Sequence, residues 1–244
     1  MITTIEELSL NAWAALQTLL YDGWVIRFSN GYTKRANSVN PLYPSRMDLE
    51  EKLRFCESLY REKGVPVVFK LTSAIYPRDL DEKLEERGYQ KDSPTSVQIV
   101  DLESLHFQGT SEIKIQESLS DEWLDSFCAM SAVSRQHSET LRKILTNIVP
   151  RHCFVSLTSS DRVVACGLGV LQSGYIGLFD IVTDPGFRRH GYGQQVVHSI
   201  MEWGKENGAK TAYLQVMLNN PPALRLYAKL GYTEQYQYWY RVKA

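Results

Sequence analysis

The 244-residue chain lacks the features that mark several large classes of protein. It has no apolar run near the ~20 residues of a membrane-spanning helix, and its N-terminus carries early acidic residues instead of a basic segment before an apolar core. Lys+Arg (27) and Asp+Glu (28) are balanced and interspersed, for a net charge of −1. The missing membrane span and secretory signal lead us to expect a cytoplasmic protein. Because no surface is predicted to carry charge of a single sign, we expect no nucleic-acid or membrane partner.

Metal and redox motifs are missing as well. No two cysteines have C-x-x-C spacing, and all of them stand in apolar, periodic surroundings, which favours buried reduced thiols. The histidines show no mutual spacing of metal ligands, so we expect no metal site. The four cysteines are Cys56, Cys128, Cys153 and Cys166.

What the chain has is an alternation of helical and strand patterns, with 43% hydrophobic residues to form a core. In the first half, residues 5–20 have a helical period, and residues 23–29 and 32–39 flank Asn30-Gly31, a dipeptide typical of tight hairpins. In the second half, strand patterns are predicted at 113–116, 153–158, 163–171, 175–183, 209–217 and 233–242. The helical patterns there cover 121–136, 139–149, 194–207 and 221–229.

The two halves resemble each other. R-E-K-G-V-P-V-V-F-K-L at 61–71 aligns with K-E-N-G-A-K-T-A-Y-L-Q at 205–215, and K-L-E-E-R-G-Y at 83–89 aligns with L-Y-A-K-L-G-Y at 226–232. The offsets are nearly equal, and each half has the order helix, strand, helix, Gly-Tyr, strand. We therefore predict two copies of one α/β unit, at residues 1–103 and 112–244, joined by a linker at 104–111.

The stretch at 175–193 is the most informative in the chain. A mostly apolar strand pattern ends at Asp184-Pro185-Gly186, and R-x-x-G-x-G spacing then leads into a helical pattern. A strand that enters a helix through a glycine-rich loop leaves backbone N–H groups unpaired at the positive end of the helix. Glycines also let an anion approach the main chain, so the stretch predicts a phosphate or pyrophosphate site.

A second element follows about thirty residues later, N-P-P-A-L-R-L-Y-A-K-L-G-Y. Asn220 can cap a helix, Pro221 suits its first position, and Gly231 can end it. Asn220 and Tyr227 are seven residues apart and so share a helix face.

Together the two elements resemble the GCN5-related N-acetyltransferase (GNAT) family, with its Q/R-x-x-G-x-G/A loop and its later N-x-x-A-x-x-L-Y-x-x-x-G-F/Y motif. The resemblance covers about residues 112–241 and implies an α/β fold of two GNAT-like units, each a mixed central sheet flanked by helices. It implies acetyl-CoA as the donor, with no metal. The implied coenzyme A-binding residues are Ile181, Val182, Thr183, Arg188, Arg189, His190, Gly191, Tyr192, Gly193, Gln194, Asn220 and Tyr227.

The implied reaction moves an acetyl group from acetyl-CoA to a primary amine of a small molecule or peptide by direct attack. Tyr227 is the implied general acid, because a phenol is protonated at neutral pH and can donate to the leaving thiolate. Some relatives have a carboxylate where this chain has Gly177, and Asp180 is the nearest acidic candidate for contact with the amine. Its alternative role is a structural hydrogen bond.

Two other functions are weighed against this one. A non-catalytic acyl-CoA-binding or regulatory module would keep the loop glycines but would not need Tyr227. A nucleotide-binding phosphotransferase is disfavoured because the loop has no Lys-Ser/Thr pair. We expect acetyl-CoA and an amine acceptor as the partners of a monomer or homodimer.

The first half lacks the donor motif. The repeat places residues 40–47, which contain two prolines and no glycine, opposite the glycine-rich loop, and it places Leu84 opposite Tyr227. We predict a degenerate copy without its own coenzyme A. Either it is a structural partner, or its hairpin forms a wall of the acceptor pocket. The polar and aromatic residues of that hairpin are Trp24, Arg27, Arg35 and Asn37.

Overall fold

The computed structural model describes residues 1–105 and 113–243. Within them the chain divides into two compact units. The first contains residues 1–97, the short segment 217–220 and the strand from 235 onward, and the second contains residues 98–216 and 221–234. The chain therefore leaves the first unit and returns to it at its C-terminal end.

Each unit is built from strands and helices in alternation. The first contains α1 (Ile2–Ala12), β1 (Gln17–Tyr21), β2 (Trp24–Phe28), β3 (Val39–Pro41), α2 (Leu49–Glu62), β4 (Val67–Thr72) and α3 (Leu80–Glu86). β5 (Gln90–Asp101) passes from the first unit into the second. Then come β6 (Ile113–Gln116), α4 (Asp121–Met130), α5 (Arg135–Thr146), β7 (Arg151–Ser159), β8 (Arg162–Gln172), β9 (Tyr175–Thr183), α6 (Tyr192–Glu206), β10 (Thr211–Met217), α7 (Pro221–Lys229) and β11 (Thr233–Lys243).

The sheet of the first unit has the strand order β1-β2-β3-β4-β11-β5. β3 and β4 are parallel and are joined through α2, whereas β11 pairs antiparallel with β4 from Tyr238 opposite Thr72 to Lys243 opposite Val67. The last strand of the chain is therefore part of the first unit's sheet.

In the second unit, β6, β7, β8 and β9 form an antiparallel series, and β10 is parallel to β9. The part of β5 that begins at Gln98 adjoins β10, where the N–H of Leu102 donates to the carbonyl of Lys210 at 2.8 Å. Both units thus contain a mixed sheet flanked by helices, and the predicted α/β fold class is confirmed.

Close packing fixes α6 against the sheet of the second unit. A Cβ at Gly169 would come within 2.6 Å of Ile200, and one at Gly204 within 2.8 Å of Ile176, so glycine is needed at both contacts. Val196, Ile200 and their neighbours on α6 are buried in the same core. The position of the helix, and hence of its N-terminus, follows from this packing.

The N-terminal elements differ from the prediction. The helix predicted over 5–20 ends at Ala12. The strand predicted at 23–29 is present as β2, but its hairpin partner is β1, which lies before it in the chain. The strand predicted at 32–39 is absent, and the short β3 begins only at Val39. The hairpin turns at Asp22-Gly23, where both residues have positive φ, 40° and 83°. Asp-Gly favours this turn as strongly as Asn-Gly does.

Asn30-Gly31 forms a loop because Asn37 holds it. The Asn37 side-chain oxygen accepts from the N–H of Ser29 and of Gly31, at 2.7 and 3.0 Å. Its amide donates to the carbonyls of Tyr32 and Thr33 at 2.7 and 2.8 Å. These side-chain hydrogen bonds reach four to eight residues back along the chain, and dipeptide turn preference does not include them.

The polar residues of the predicted hairpin belong to the interior of the first unit. Arg27 is buried and donates to the carbonyls of Leu10, Trp13 and Arg35. Trp24 is fully buried, with its ring edge-on to Phe69. These contacts favour the structural role of the segment.

A buried ion pair attaches α1 to the sheet of the same unit. Lys70 on β4 lies 2.5 Å from Glu6, and both side chains are nearly inaccessible. The Tyr236 hydroxyl donates to Glu6 at 2.7 Å, and the Lys70 ammonium lies 4.0 Å from the centre of the Tyr238 ring. Because each charge has partners, its burial is compensated.

The division into units does not coincide with the predicted boundaries. The first unit retains residues up to 97 and regains the strand from 235 onward, so the predicted unit 112–244 lacks part of its own sheet and includes a strand of the other. Most of the predicted linker, 104–111, lies outside the described residues. Across residues 1–105 and 113–243, no helix is long and apolar enough to cross a membrane.

The placement of β5 and β11 predicts that residues 112–244 alone will not fold normally. Such a fragment lacks the part of β5 beside β10 and leaves β11 without β4, so two strand edges are unpaired. We expect aggregation or a broad thermal transition, measured by size-exclusion chromatography and circular dichroism against the full chain. A monomeric fragment with a sharp transition at the full-chain temperature would contradict this expectation.

Candidate functional site

The candidate site begins at an irregularity in β9. Phe179 pairs with Leu168 and Val182 pairs with Cys166, so Asp180 and Ile181 together face Gly167 alone. Asp180 has a φ of 52°, as expected at such a bulge. A Cβ on Gly167 would come within 2.7 Å of the Ile181 side chain, so the bulge needs a small residue opposite it.

Beyond the bulge, β9 separates from its parallel neighbour. The two strands pair at four positions, from Tyr175 opposite Thr211 to Leu178 opposite Leu214. Val182 and Thr183 still pair with β8, opposite Cys166 and Ala165. The edge of β9 that faced β10 is therefore outside the ladder at residues 181–183, all of which are partly exposed.

The loop after β9 is shaped by Asp184. Its carboxylate accepts from the N–H of Gly186 at 2.8 Å, and its carbonyl accepts from the N–H of Phe187 at 2.9 Å. A short 3-10 turn, Pro185–Phe187, follows, and Gly191, with a φ of 83°, is the N-cap residue of α6. Within the described residues, the N-cap glycine gives the helix no side-chain cap, so the N–H groups of the first turn lie at an uncapped, positive helix end.

Basic residues directly precede this helix end. Arg188, Arg189 and His190 are exposed on the loop, and the His190 ring stacks on Tyr192 with the ring centres 5.9 Å apart. Gly193 lies in the first turn of α6, where an added Cβ would contact only the Thr183 hydroxyl, at 3.2 Å. The arrangement suits an anion that approaches the main chain closely.

Tyr227 lies on α7 and is 7% exposed. Its ring is edge-on to Tyr232, with the centres 5.7 Å apart. Burial alone raises the pKa of Tyr227 to about 12. The phenol is therefore protonated at neutral pH and carries a proton that it can donate.

The other sequence-based candidates have structural surroundings. Gly177 lies against the Tyr213 ring, and an added Cβ would come within 2.5 Å of it. Asn220 directly precedes α7, in the segment that groups with the first unit, and its role in cofactor binding stays a prediction. The structure thus assembles the β9 edge, the loop and the first turn of α6 into one continuous surface.

The cysteines agree with the expectation of free thiols. All four are unpaired by disulfides, and three are buried. Burial raises the pKa of Cys56, Cys153 and Cys166 to about 12, so these thiols are poor nucleophiles. Among residues 1–105 and 113–243, no three His, Cys, Asp or Glu side chains are grouped as a metal would require.

In the corresponding loop of the first unit, between β3 and α2, the hydrogen-bond donors are bound by a carboxylate of the same unit. The Asp22 carboxylate accepts from the N–H groups of Arg46 and Met47, at 2.9 and 2.8 Å, and from the Ser45 hydroxyl at 2.7 Å. The buried Lys52 ammonium lies 3.2 Å from the same carboxylate. Hydrogen bonds, led by that from Met47, hold the pKa of Asp22 well below its usual range.

The N-terminal end of α2 is also capped by a side chain of the same unit. Asp48 is its N-cap residue, and its carboxylate accepts from the N–H of Glu51 at 3.0 Å. Leu84, which the repeat aligns with Tyr227, is completely buried. The first unit therefore presents neither an open anion site nor a proton donor at the positions equivalent to those of the second unit.

Comparisons with known proteins agree with this architecture. The chain is 29% identical over 249 residues to the "Uncharacterized N-acetyltransferase YobR" of Bacillus subtilis, covering 99% of this chain and 98% of that protein. It is 31% identical over 84 residues to the "[Ribosomal protein bS18]-alanine N-acetyltransferase" of Salmonella typhimurium, covering 34% of this chain and 57% of the relative.

Solved structures share the fold of the whole chain. A GCN5-related N-acetyltransferase from Kribbella flavida superposes with a TM-score of 0.74 at 15% identity, over 99% of this chain and 95% of that one. A tandem GNAT protein from the clavulanic acid biosynthesis pathway superposes with a TM-score of 0.66 at 10% identity, over 98% and 87% of the two chains.

The fold and these relatives define an acyl-CoA-dependent N-acyltransferase of the GNAT class. Residues 1–241 match the family model described as "Probable histone acetyltransferase Rv0428c C-terminal", and the chain belongs to that family. The sequence-based assignment to the GNAT family, and to enzymes within it, is confirmed.

Proposed function

We propose that the second unit binds acetyl-CoA on β9, the following loop and the start of α6, and transfers the acetyl group to a primary amine. The observation that carries the proposal is the uncapped N-terminus of α6, which emerges next to the point where β9 leaves β10. The pyrophosphate would lie on the N–H groups from Arg189 to Gln194, with cationic side chains nearby. GNAT enzymes use acetyl-CoA as donor, which supports this choice.

The pantetheine arm would extend along the free edge of β9. Val182 and Thr183 still pair with β8 on one side, and the edge at 181–183 has left the β10 ladder on the other. The amides of pantetheine can add to such an edge as an extra strand would. This placement would direct the thioester toward the bulge at Asp180.

The chemistry requires one bond to form and one to break. The neutral amine attacks the thioester carbonyl, the nitrogen–carbon bond forms, and the carbon–sulfur bond breaks. Tyr227 would donate its proton to the departing sulfur, a role for which its high pKa keeps it protonated. The amine must also lose a proton, and Asp180 is the carboxylate we assign to contact the amine, directly or through water.

The acceptor class is supported by the relatives' names. The matching family model is described by the word histone, and the Salmonella relative is named for the alanine of a ribosomal protein. Both names refer to a protein as the acceptor. A peptide amine is therefore the first acceptor to test, beside small-molecule amines.

The proposed activity is tested by release of free thiol from acetyl-CoA with a panel of acceptors. The panel should include peptides with an N-terminal alanine, peptides with an internal lysine, free amino acids, polyamines and aminoglycosides. We expect amine-dependent thiol release and an acetylated product by mass spectrometry. Binding of acetyl-CoA without transfer to any amine would contradict the proposal.

Replacing Gly193 by Val should weaken acetyl-CoA binding at least about 10-fold, because a branched side chain would stand where the pyrophosphate approaches the main chain. The fold should persist, since the new Cβ meets only the Thr183 hydroxyl. Isothermal titration calorimetry measures the affinity. The control is Gly208→Asn, two residues after α6 ends, where a Cβ would meet nothing within 4 Å and where Asn is among the side chains that best tolerate the φ of 94°. Unchanged affinity in folded Gly193→Val would remove the loop from the donor site.

Tyr227→Phe keeps the ring but removes the proton donor. We expect kcat to fall about 10- to 1000-fold with little change in acetyl-CoA affinity. Tyr232→Phe is the matched control, because this neighbouring buried hydroxyl donates to the Met201 sulfur instead. Equal kcat values for Tyr227→Phe and the wild type would refute the assignment.

The pH profile gives a second measure of Tyr227. The protonated phenol is the active form, and a raised pKa extends that form upward, to about 12. Ionisation of Tyr227 should therefore cause no loss of kcat below about pH 10. A descending limb at pH 9 that disappears in Tyr227→Phe would show that the phenol ionises more easily than its burial implies.

One molecule of coenzyme A should bind to each chain, because the carboxylates of Asp22 and Asp48 occupy the equivalent N–H groups of the first unit. Calorimetry of the wild type gives the stoichiometry. Gly193→Val should remove or strongly weaken this single binding event and reveal no second one. A stoichiometry of two would show that the first unit is a working donor site.

A further inference from the structure

Two loops of the second unit are in contact at the candidate donor site. One is the loop from Asp184 to the start of α6, and the other is the turn that joins β7 to β8, with Ser160 and Asp161 at its tip. The sequence motif includes no residue of this turn. Its contacts nevertheless reach both ends of the loop.

At the first end, Arg162 connects the turn to the loop. Its guanidinium donates to one carboxylate oxygen of Asp184, whose other oxygen accepts from the N–H of Gly186. The same guanidinium lies over the Phe187 ring, 4.7 Å from its centre. Arg162 thus contacts the carboxylate that shapes the loop and the residue that ends its 3-10 turn.

At the second end, the Ser159 and Tyr192 hydroxyl groups are 3.2 Å apart. Tyr192 is the first residue of α6, and its ring packs on His190 and on Phe187, with centre distances of 5.9 and 6.4 Å. The exposed residues 188–190 are therefore held between two anchored points, one at Asp184 and Phe187, the other at Tyr192.

We infer that Arg162 is a positioning residue for donor binding, and that it acts by holding the loop in its binding shape before coenzyme A arrives. The inference rests on the proposed function of the loop. A loop whose N–H groups already converge loses less conformational entropy on binding an anion than one that must first become ordered. An exposed ion pair contributes little to global stability, so its effect should be local.

The first test measures loop order without any ligand. Hydrogen exchange of the amides at 186–191 should accelerate in Arg162→Ala and in Asp184→Asn. It should stay unchanged in Arg142→Ala, which breaks another arginine–aspartate ion pair, with Asp121, elsewhere in the unit. Unchanged exchange in Arg162→Ala would overturn the inference, whatever the loop binds.

The second test measures affinity for acetyl-CoA. Arg162→Ala should raise Kd about 5-fold, as expected for loss of a partly exposed ion pair that preorganises a site, and kcat at saturation should stay the same. Arg162→Lys should recover part of the loss. The double variant Arg162→Ala, Asp184→Asn should bind no more weakly than either single variant, because both remove one interaction. Additive losses would contradict a shared role.

A direct contact with the ligand gives a different result. If Arg162 bound the 3′-phosphate of coenzyme A, Arg162→Ala would lose affinity for coenzyme A but not for dephospho-coenzyme A. A positioning role predicts equal losses for both. Failure of the proposed donor site is separately recognisable. In that case Gly193→Val would bind acetyl-CoA normally, while hydrogen exchange at 186–191 would still respond to Arg162→Ala.

Discussion

The packing of α6 against the glycine-containing strands of the second unit is the constraint on which the candidate site depends. Gly169 and Gly204 let helix and sheet approach until side chains of Ile200 and Ile176 fill the gap. This contact fixes the helix end, and with it the direction of the N–H groups in the first turn. The roles proposed for the loop, for the bulge at Asp180 and for the free edge of β9 all depend on this fixed position of the helix end.

The two units show how one β–loop–α arrangement can have opposite properties. In the second unit the N-cap residue is a glycine without a capping side chain, and the exposed Arg188, Arg189 and His190 directly precede it. In the first, Asp22 supplies the negative charge from within the chain, and Lys52 balances it. A helix end whose N–H groups already bind a carboxylate is expected to bind phosphate weakly. The N–H donors already have acceptors, and the carboxylate offsets the positive potential of the helix end.

The C-terminal strand β11 contributes to the stability of the first unit. β11 supplies Arg241, whose guanidinium donates to Asp81 and Glu85 and to the carbonyl of Tyr89, all in the first unit. Trp239 also donates to Asp81 at 2.9 Å. The first unit thus depends on the last ten residues, although the sequence motif of the donor site ends just before them.

Local pattern was sufficient for some elements. β6 and α7 begin and end at the predicted residues, because Ile113 to Gln116 alternates cleanly and because Pro221 and Gly231 mark the limits of α7. The glycine spacing before α6 likewise predicted the start of that helix, where Gly191 is the N-cap residue. In the N-terminal region the same reasoning failed, since the interaction of Asn37 with residues 29–33 outweighs the hairpin preference of Asn30-Gly31.

The sequence by itself determined the class of fold, the internal repeat, the family and the residues of the donor motif, because these depend on periodicity and on short spacings. Only the tertiary structure showed that β11 pairs within the first unit, that β9 has a bulge at Asp180, and that the Asp22 carboxylate binds the N–H groups of the first unit's loop. It also revealed Arg162 and Ser159 beside the donor loop. Each of these depends on residues that are distant in the chain and meet only when strands pair and helices pack, and no local pattern encodes such a meeting.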